Sequence, residues 1–308
     1  MRLLRMGDSA RDAAPRWALA LESFDPASPP AGVRVLKREN TSGVFHARFL
    51  GREVVIKSRV TVGLWARLRQ LFRPGKAWRQ WEGAQWLRAQ NLPTAEPLVL
   101  ASRRSRAGLE ELLVLAHVPG KTLLEHLADA SLPVRLQHVL AREAGRLVAA
   151  MVLPAPDMRG RFNRDHKPSN LLVPRLTPAG AEIAVIDTVD LRPILRPKQA
   201  AGFARRMLAS MVIEPTGCGV PPRRALMARA LVACWHELAC RADASGRVRQ
   251  AGYRPGAMRA TQAGRLARLH LRRQWERIAR LIEAHGDPTP KVNPLSTPSP
   301  GAEPAAGG

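Results

Sequence analysis

The stretch Arg164-Asp165-His166-Lys167-Pro168-Ser169-Asn170 places a carboxylate, an ammonium and an amide at offsets 0, +2 and +5 within a few residues. Each group has a use in phosphoryl transfer. A carboxylate orients an attacking hydroxyl and accepts its proton, a cation neutralises charge on the moving phosphoryl group, and an amide oxygen coordinates magnesium. The competing reading is a polar loop with fortuitous spacing. A further metal-binding carboxylate is expected at the end of a buried strand, and Ala184-Val185-Ile186-Asp187 supplies one, 17 residues after Asn170. Apolar packing does not call for an Asp there, although an Asp that closes a turn would account for it. Asp190 is a second, weaker candidate for the same metal.

Upstream, Val54-Val55-Ile56-Lys57 reads as a strand that ends in lysine. Trp78, Glu82 and Trp86 follow at i, i+4 and i+8 of a helix, so Glu82 is expected to face inward within an aromatic stripe and to seek a cation, Lys57. Asn40-Thr41-Ser42-Gly43 lies between two strand-like runs, where backbone amides and the hydroxyls of Thr41 and Ser42 could cradle phosphate.

The elements that must position these residues follow from pattern. Strands are expected at 33–36, 44–50 and 53–57, helices at 63–72 and 76–90, then strands at 97–101 and 111–118. After Pro119-Gly120 the chain turns helical at 122–130 and 133–151, passes through an irregular basic stretch at 157–170, and forms short strands at 171–173 and 183–186. Residues 198–284 read as about three helices broken at 215–222 and 252–256. This is an α+β, two-lobed plan: a loose extension at 1–32, a β-rich lobe at 33–118, a helical lobe at 119–285, and a disordered Pro/Gly/Ala tail at 286–308.

Lys57, Glu82, Asp165, Lys167, Asn170 and Asp187 occur in the order and context of the protein-kinase-like superfamily, which the region 33–285 resembles. The resemblance implies ATP and magnesium as cofactors. Asp165 and Lys167 would be catalytic, Asn170 and Asp187 would hold metal, and Lys57, Glu82, Thr41, Ser42 and Gly43 would serve the nucleotide. Departures narrow the family. Asn163 stands where kinases carry His, Thr188-Val189 follow Asp187 where Phe-Gly is usual, the 40–44 loop has a single glycine, and no A-P-E follows. With the insert Trp65-Ala66-Arg67-Leu68-Arg69, these features are similar to the lipopolysaccharide kinase (Kdo/WaaP) family. The implied acceptor is a sugar hydroxyl of the inner core, Kdo or heptose. A small-molecule or protein kinase, or a pseudokinase that only binds, is the alternative.

The chain has 308 residues, with 49 Lys plus Arg against 25 Asp plus Glu, a formal charge of +24. Such a balance calls for a polyanionic partner, whether nucleic acid, an anionic membrane surface or phosphorylated sugars, and charge alone does not choose among them. The family resemblance implies an anionic glycolipid acceptor and peripheral contact with an anionic membrane, with nucleic acid not expected. Residues 59–106 hold ten bases and two acids, and residues 192–285 hold nineteen against five. Leu64, Trp65, Leu68, Leu71 and Phe72 recur at helical spacing with arginines between them, which fits either a basic amphipathic surface helix or a core helix. Three cysteines without a C-x-x-C pair suggest neither a disulfide framework nor zinc. No run suggests export or a membrane span, so a cytoplasmic protein, peripheral at the inner face of the membrane, is expected.

Overall fold

The computed structural model describes residues 1–62, 74–105, 108–154, 159–244, 261–290 and 293–296. It divides into two compact units, Met1–Val118 and Pro119–Gly308. The expected helix at 63–72, with Trp65, lies outside the described residues, as does the expected break at 252–256.

The first unit is an antiparallel sheet of six strands in the order β1-β5-β6-β4-β3-β2, formed by β1 (Arg2–Met6), β2 (Arg34–Glu39), β3 (Ser42–Phe49), β4 (Arg52–Thr61), β5 (Pro97–Ser105) and β6 (Gly108–Ala116). The period-2 alternation of β4 and β6 sends alternate side chains to opposite faces. Val54 and Ile56 join Leu112, Val114 and Phe45 in one core cluster. Leu113 and Leu115 join Leu100, Ala77 and Trp81 in another, under α3 (Lys76–Ala89).

The first cluster corrects the expectation of a loose extension at 1–32. β1 pairs with β5, and α1 (Asp8–Arg11) and α2 (Ala14–Glu22) bring Trp17, Leu21 and Phe24 to within 2% of full burial against the sheet. Three such side chains, each worth roughly 1.5–3 kcal/mol when fully buried, outweigh the Pro- and Ala-rich composition that suggested disorder. Arg103 locks the return of the segment by donating to the carbonyls of Leu21, Glu22 and Phe24 and to Glu110.

The second unit begins with β7 (Lys121–Thr122) and α4 (Leu123–Ala128), whose Thr122 and Glu125 form a reciprocal capping box. The long helix α5 (Val134–Val152) packs on α7 (Arg224–Ala244), and Gly145 is what lets them approach: a Cβ there would stand 2.1 Å from the Ala230 carbonyl oxygen. Two small sheets carry the irregular middle, β10-β9-β7 and β11-β8, with β8 Arg161–Asn163, β9 Leu171–Leu176, β10 Ala181–Val185 and β11 Leu191–Pro193. α6 (Ala200–Gly217) and α8 (Thr261–Glu283) complete the unit. The expected break at 215–222 corresponds to the gap between α6 and α7, with Pro215 lying inside the last turn of α6. The tail is not wholly loose either, because the Pro288 carbonyl lies against Gly217. Together the two units make an α+β, kinase-like two-lobed fold.

Candidate active site

The loop from β8 to β9 is held by side chains in both directions. Asn163, 2% exposed, donates through Nδ2 to the Asp187 carbonyl at 3.1 Å and accepts the Asp165 amide on Oδ1 at 3.1 Å. One buried amide thus ties the proposed base to the strand end that carries the proposed metal ligand. The Asn163 departure noted in the sequence is therefore a structural clamp. A second tie is the Ile186 amide, which donates to the Asn170 carbonyl at 3.1 Å.

Asp165, Lys167 and Asn170 converge. Asn170 Nδ2 donates to the Asp165 carboxylate at 2.9 Å and to its carbonyl at 3.0 Å, and Lys167 Nζ stands 3.4 Å from Asp165 Oδ2. The carboxylate is half exposed, so it is oriented by its neighbours yet open to an incoming hydroxyl. With Nδ2 committed to Asp165, Asn170 keeps its amide oxygen as a lone-pair donor. Asp187 accepts the Val189 amide on Oδ1 at 3.3 Å, closing a turn, which leaves its other carboxylate oxygen for a cation. Two oxygen donors of this kind suit magnesium, which takes one or two protein ligands and completes its shell with phosphate and water. Among the described residues no cluster of three or more His, Cys, Asp or Glu could hold a metal by itself. Asp190 is paired with Arg192 at 3.1 Å, which makes it the poorer ligand.

Two residues that sequence reasoning passed over support the loop. Glu214 of α6, 8% exposed, accepts the Ser169 amide at 2.8 Å and the Ser169 hydroxyl at 2.6 Å. It is the single acid in the apolar run of α6, and that isolation was the available signal. His166 is fully buried with neither ring nitrogen hydrogen-bonded, and burial pushes its pKa down to about 4. It fills space under the loop as a neutral ring.

In the first unit Lys57 stands on the α3-facing side of the sheet, in register with Leu113 of β6 and Val44 of β3. Glu82 does not share that burial. The buried residues of α3 are Ala77, Gln80, Trp81, Gly83, Ala84, Trp86 and Leu87, with Trp78 half-buried beside them, while Glu82 is exposed, so the inward-facing carboxylate expected between Trp78 and Trp86 is corrected. Both indoles of the stripe turn toward the core, as Trp81 does, and only the carboxylate between them stays in solvent. The buried acid on the Lys57 face is Glu111, in register with Arg59. Burial holds its pKa up, Arg59 partly offsets this, and its Oε2 has no hydrogen-bond partner.

The expected phosphate-cradling stretch lies at the turn between β2 and β3. Ser42 and Gly43 belong to β3, leaving Asn40-Thr41 as a tight turn whose Thr41 carbonyl accepts the Val60 amide at 2.8 Å. The Ser42 hydroxyl donates to Glu39 at 2.9 Å, and hydrogen bonds from Lys37 and Ser42 hold the Glu39 carboxyl below its ordinary range, which puts a firm negative charge beside the turn. Gly43 is explained by packing: a Cβ would stand 2.5 Å from the Phe45 ring. Gly43 faces Phe45 and the Trp17 cluster, on the side of the sheet opposite Lys57.

No protein-family model matches the chain, and no curated protein matches it in sequence. Among solved structures it is similar to one described as WaaP in complex with acyl carrier protein. The TM-score is 0.54 and the identity 19%, over 90% of this chain and 99% of that one. At that identity the likeness shows the fold, which is the kinase-like one.

Proposed function

We propose that the chain is an ATP- and magnesium-dependent phosphotransferase whose acceptor is a sugar hydroxyl of the lipopolysaccharide inner core, Kdo or heptose. The observation that carries the reading is the Asp165–Lys167–Asn170 cluster, tied through Asn163 to the strand end bearing Asp187. In this reading Asp165 orients the acceptor hydroxyl and takes its proton, and Lys167 screens the charge that gathers on the transferred group. The Asn170 amide oxygen and the Asp187 carboxylate would hold magnesium, which would supply charge neutralisation for the phosphates. Lys57 would contact the α- and β-phosphates. Thr41, Ser42 and Gly43, at the β2–β3 turn, would cradle the phosphates through their backbone amides, and Glu82, which is exposed, is not assigned a pairing with Lys57.

The lipopolysaccharide acceptor rests on the family resemblance of the sequence, on a fold shared with WaaP, and on a net charge of +24 that favours an anionic glycolipid. Peripheral attachment to an anionic membrane face belongs to the same proposal. No helix of the described residues is long and apolar enough to cross a membrane. Since the WaaP structure holds acyl carrier protein, that protein belongs among the partners to assay.

The test is transfer of labelled phosphate from ATP to a lipid A–Kdo glycolipid, a heptose-bearing core, an aminoglycoside and a generic protein, with the native chain and Asp165→Ala. Labelling of the glycolipid alone, lost in Asp165→Ala while ATP binding persists, is the expected result. Transfer that survives Asp165→Ala would remove the assignment of the base, and labelling confined to the aminoglycoside or the protein would remove the acceptor.

A further inference from the structure

Away from the catalytic loop, the second unit contains a cavity of about 590 Å³ between the start of α6 and the facing sides of α7 and α8. Its lining includes five cations, Lys198, Arg205, Arg206, Arg273 and Arg277, and no acidic residue among the described ones. Some arginines of this unit do sit beside carboxylates, as in Arg142 and Arg146 with Glu143, and Arg241 with Glu237, but none of the five cations in the cavity has an ion pair with a carboxylate among the described residues.

The site is built. Trp235 Nε1 donates to His270 Nε2 at 3.1 Å, Gln274 Nε2 stands 3.1 Å from the same nitrogen, and Arg205 Nη1 donates to Gln274 Oε1 at 2.7 Å. Gln274 and Trp235 are buried, so Arg205 is aimed by a fixed relay. The charges feel one another. Burial and Arg277 pull the Arg205 pKa down, and burial with Arg277, Arg205 and Arg273 pulls His270 down, keeping that ring neutral and able to accept from Trp235. Like charges held this close favour an anion between them. The first turn of α6, from Ala200 to Phe203, lines the same space, and its N-cap Gln199 makes no side-chain cap, so backbone N–H groups add to the positive field. The remaining wall is apolar: Leu153, Phe203, Trp235 and Leu238.

We propose that this pocket binds an organic phosphate, the guanidinium groups of Arg205, Arg273 and Arg277 taking the phosphate and Phe203 and Trp235 taking an apolar or aromatic portion beside it. Arginine forks match phosphate oxygens bidentately, and the aromatic walls select against bare inorganic anions. The pocket is linked to the catalytic loop by one ring stack. Phe203 lies 3.8 Å from Phe162, three residues before Asp165.

The probe is phenyl phosphate, titrated calorimetrically into the full chain with a saturating non-hydrolysable ATP analogue and magnesium present. Saturable binding is expected, weakened at least about tenfold in Arg205→Gln/Arg277→Gln. The pair Lys198→Gln/Arg273→Gln, at exposed positions, guards against misfolding and is expected to weaken binding several-fold as well. Asp165→Ala is expected to bind normally. Vesicles carrying phosphatidic acid form the second arm. If only they respond to the arginine substitutions, the phosphate is lipid-borne; if only phenyl phosphate responds, it is a free metabolite. Either supports the site. Loss of binding equal to that of a remote pair, Arg135→Gln/Arg146→Gln, or binding of phenol as tight as that of phenyl phosphate, would overturn it.

Discussion

His166 offers the sharpest quantitative test of how the catalytic loop is held. The ring is fully buried, both nitrogens lack hydrogen bonds, and burial lowers its pKa from the ordinary 6.5 to about 4. Since the folded state favours the neutral ring, the unfolded chain binds the proton more readily. Stability linked to His166 is therefore complete above about pH 6.5, declines as the pH falls toward 4, and is flat below. At 1.36 kcal/mol per pH unit the full loss comes to about 3 kcal/mol. The perturbation is His166→Leu, which fills a similar volume and removes both unsatisfied nitrogens. At pH 7 the variant is expected to be within about 1.5 kcal/mol of the native chain, because lost packing is offset by relief of buried polar atoms. Urea unfolding at pH 7, 6, 5 and 4 checks it: the native chain should lose about 3 kcal/mol more than the variant over that range. Curves that stay parallel would refute a neutral, fully buried His166.

Glu214→Gln keeps one acceptor for Ser169 but gives up a charge-assisted pair, so it should cost about 1–3 kcal/mol of stability and lower kcat with little change in the KM for ATP. An equal fall in ATP affinity would place Glu214 outside the positioning role. Asp187→Asn should weaken nucleotide binding roughly tenfold in magnesium and hardly at all in its absence, measured by calorimetry. Equal loss in both conditions would move the metal to Asp190. With Glu82 exposed, a double-mutant cycle with Lys57→Ala and Glu82→Ala should show coupling below about 1 kcal/mol, and a value above about 2 kcal/mol would restore the inward-facing reading. Binding to anionic vesicles should fall steeply as salt shortens the Debye length below about 8 Å, whereas equal binding to neutral vesicles would end the membrane proposal.

The order of chemistry-bearing residues was legible because the groups proposed as catalytic lie close in sequence. Asp165, Lys167 and Asn170 fit within one turn-rich loop, so their convergence needs almost no tertiary information. The strands around Lys57 and Asp187 were legible for a similar reason, since their alternating or unbroken apolar runs force a buried sheet. Tertiary packing decided the rest. Whether 1–32 is loose depended on a sheet face open to Trp17, Leu21 and Phe24, which composition cannot reveal. Trp78, Trp81 and Trp86 all turn toward the buried side of α3 while Glu82 stays exposed, an outcome that the spacing of the stripe could not decide. Asn163, Ser169 and Glu214 matter through hydrogen bonds across 24 and 45 residues, and the arginines of the second pocket come from helices about 70 residues apart. Short-range periodicity carries no record of such pairings, because each depends on which surfaces the folded chain brings within hydrogen-bond reach.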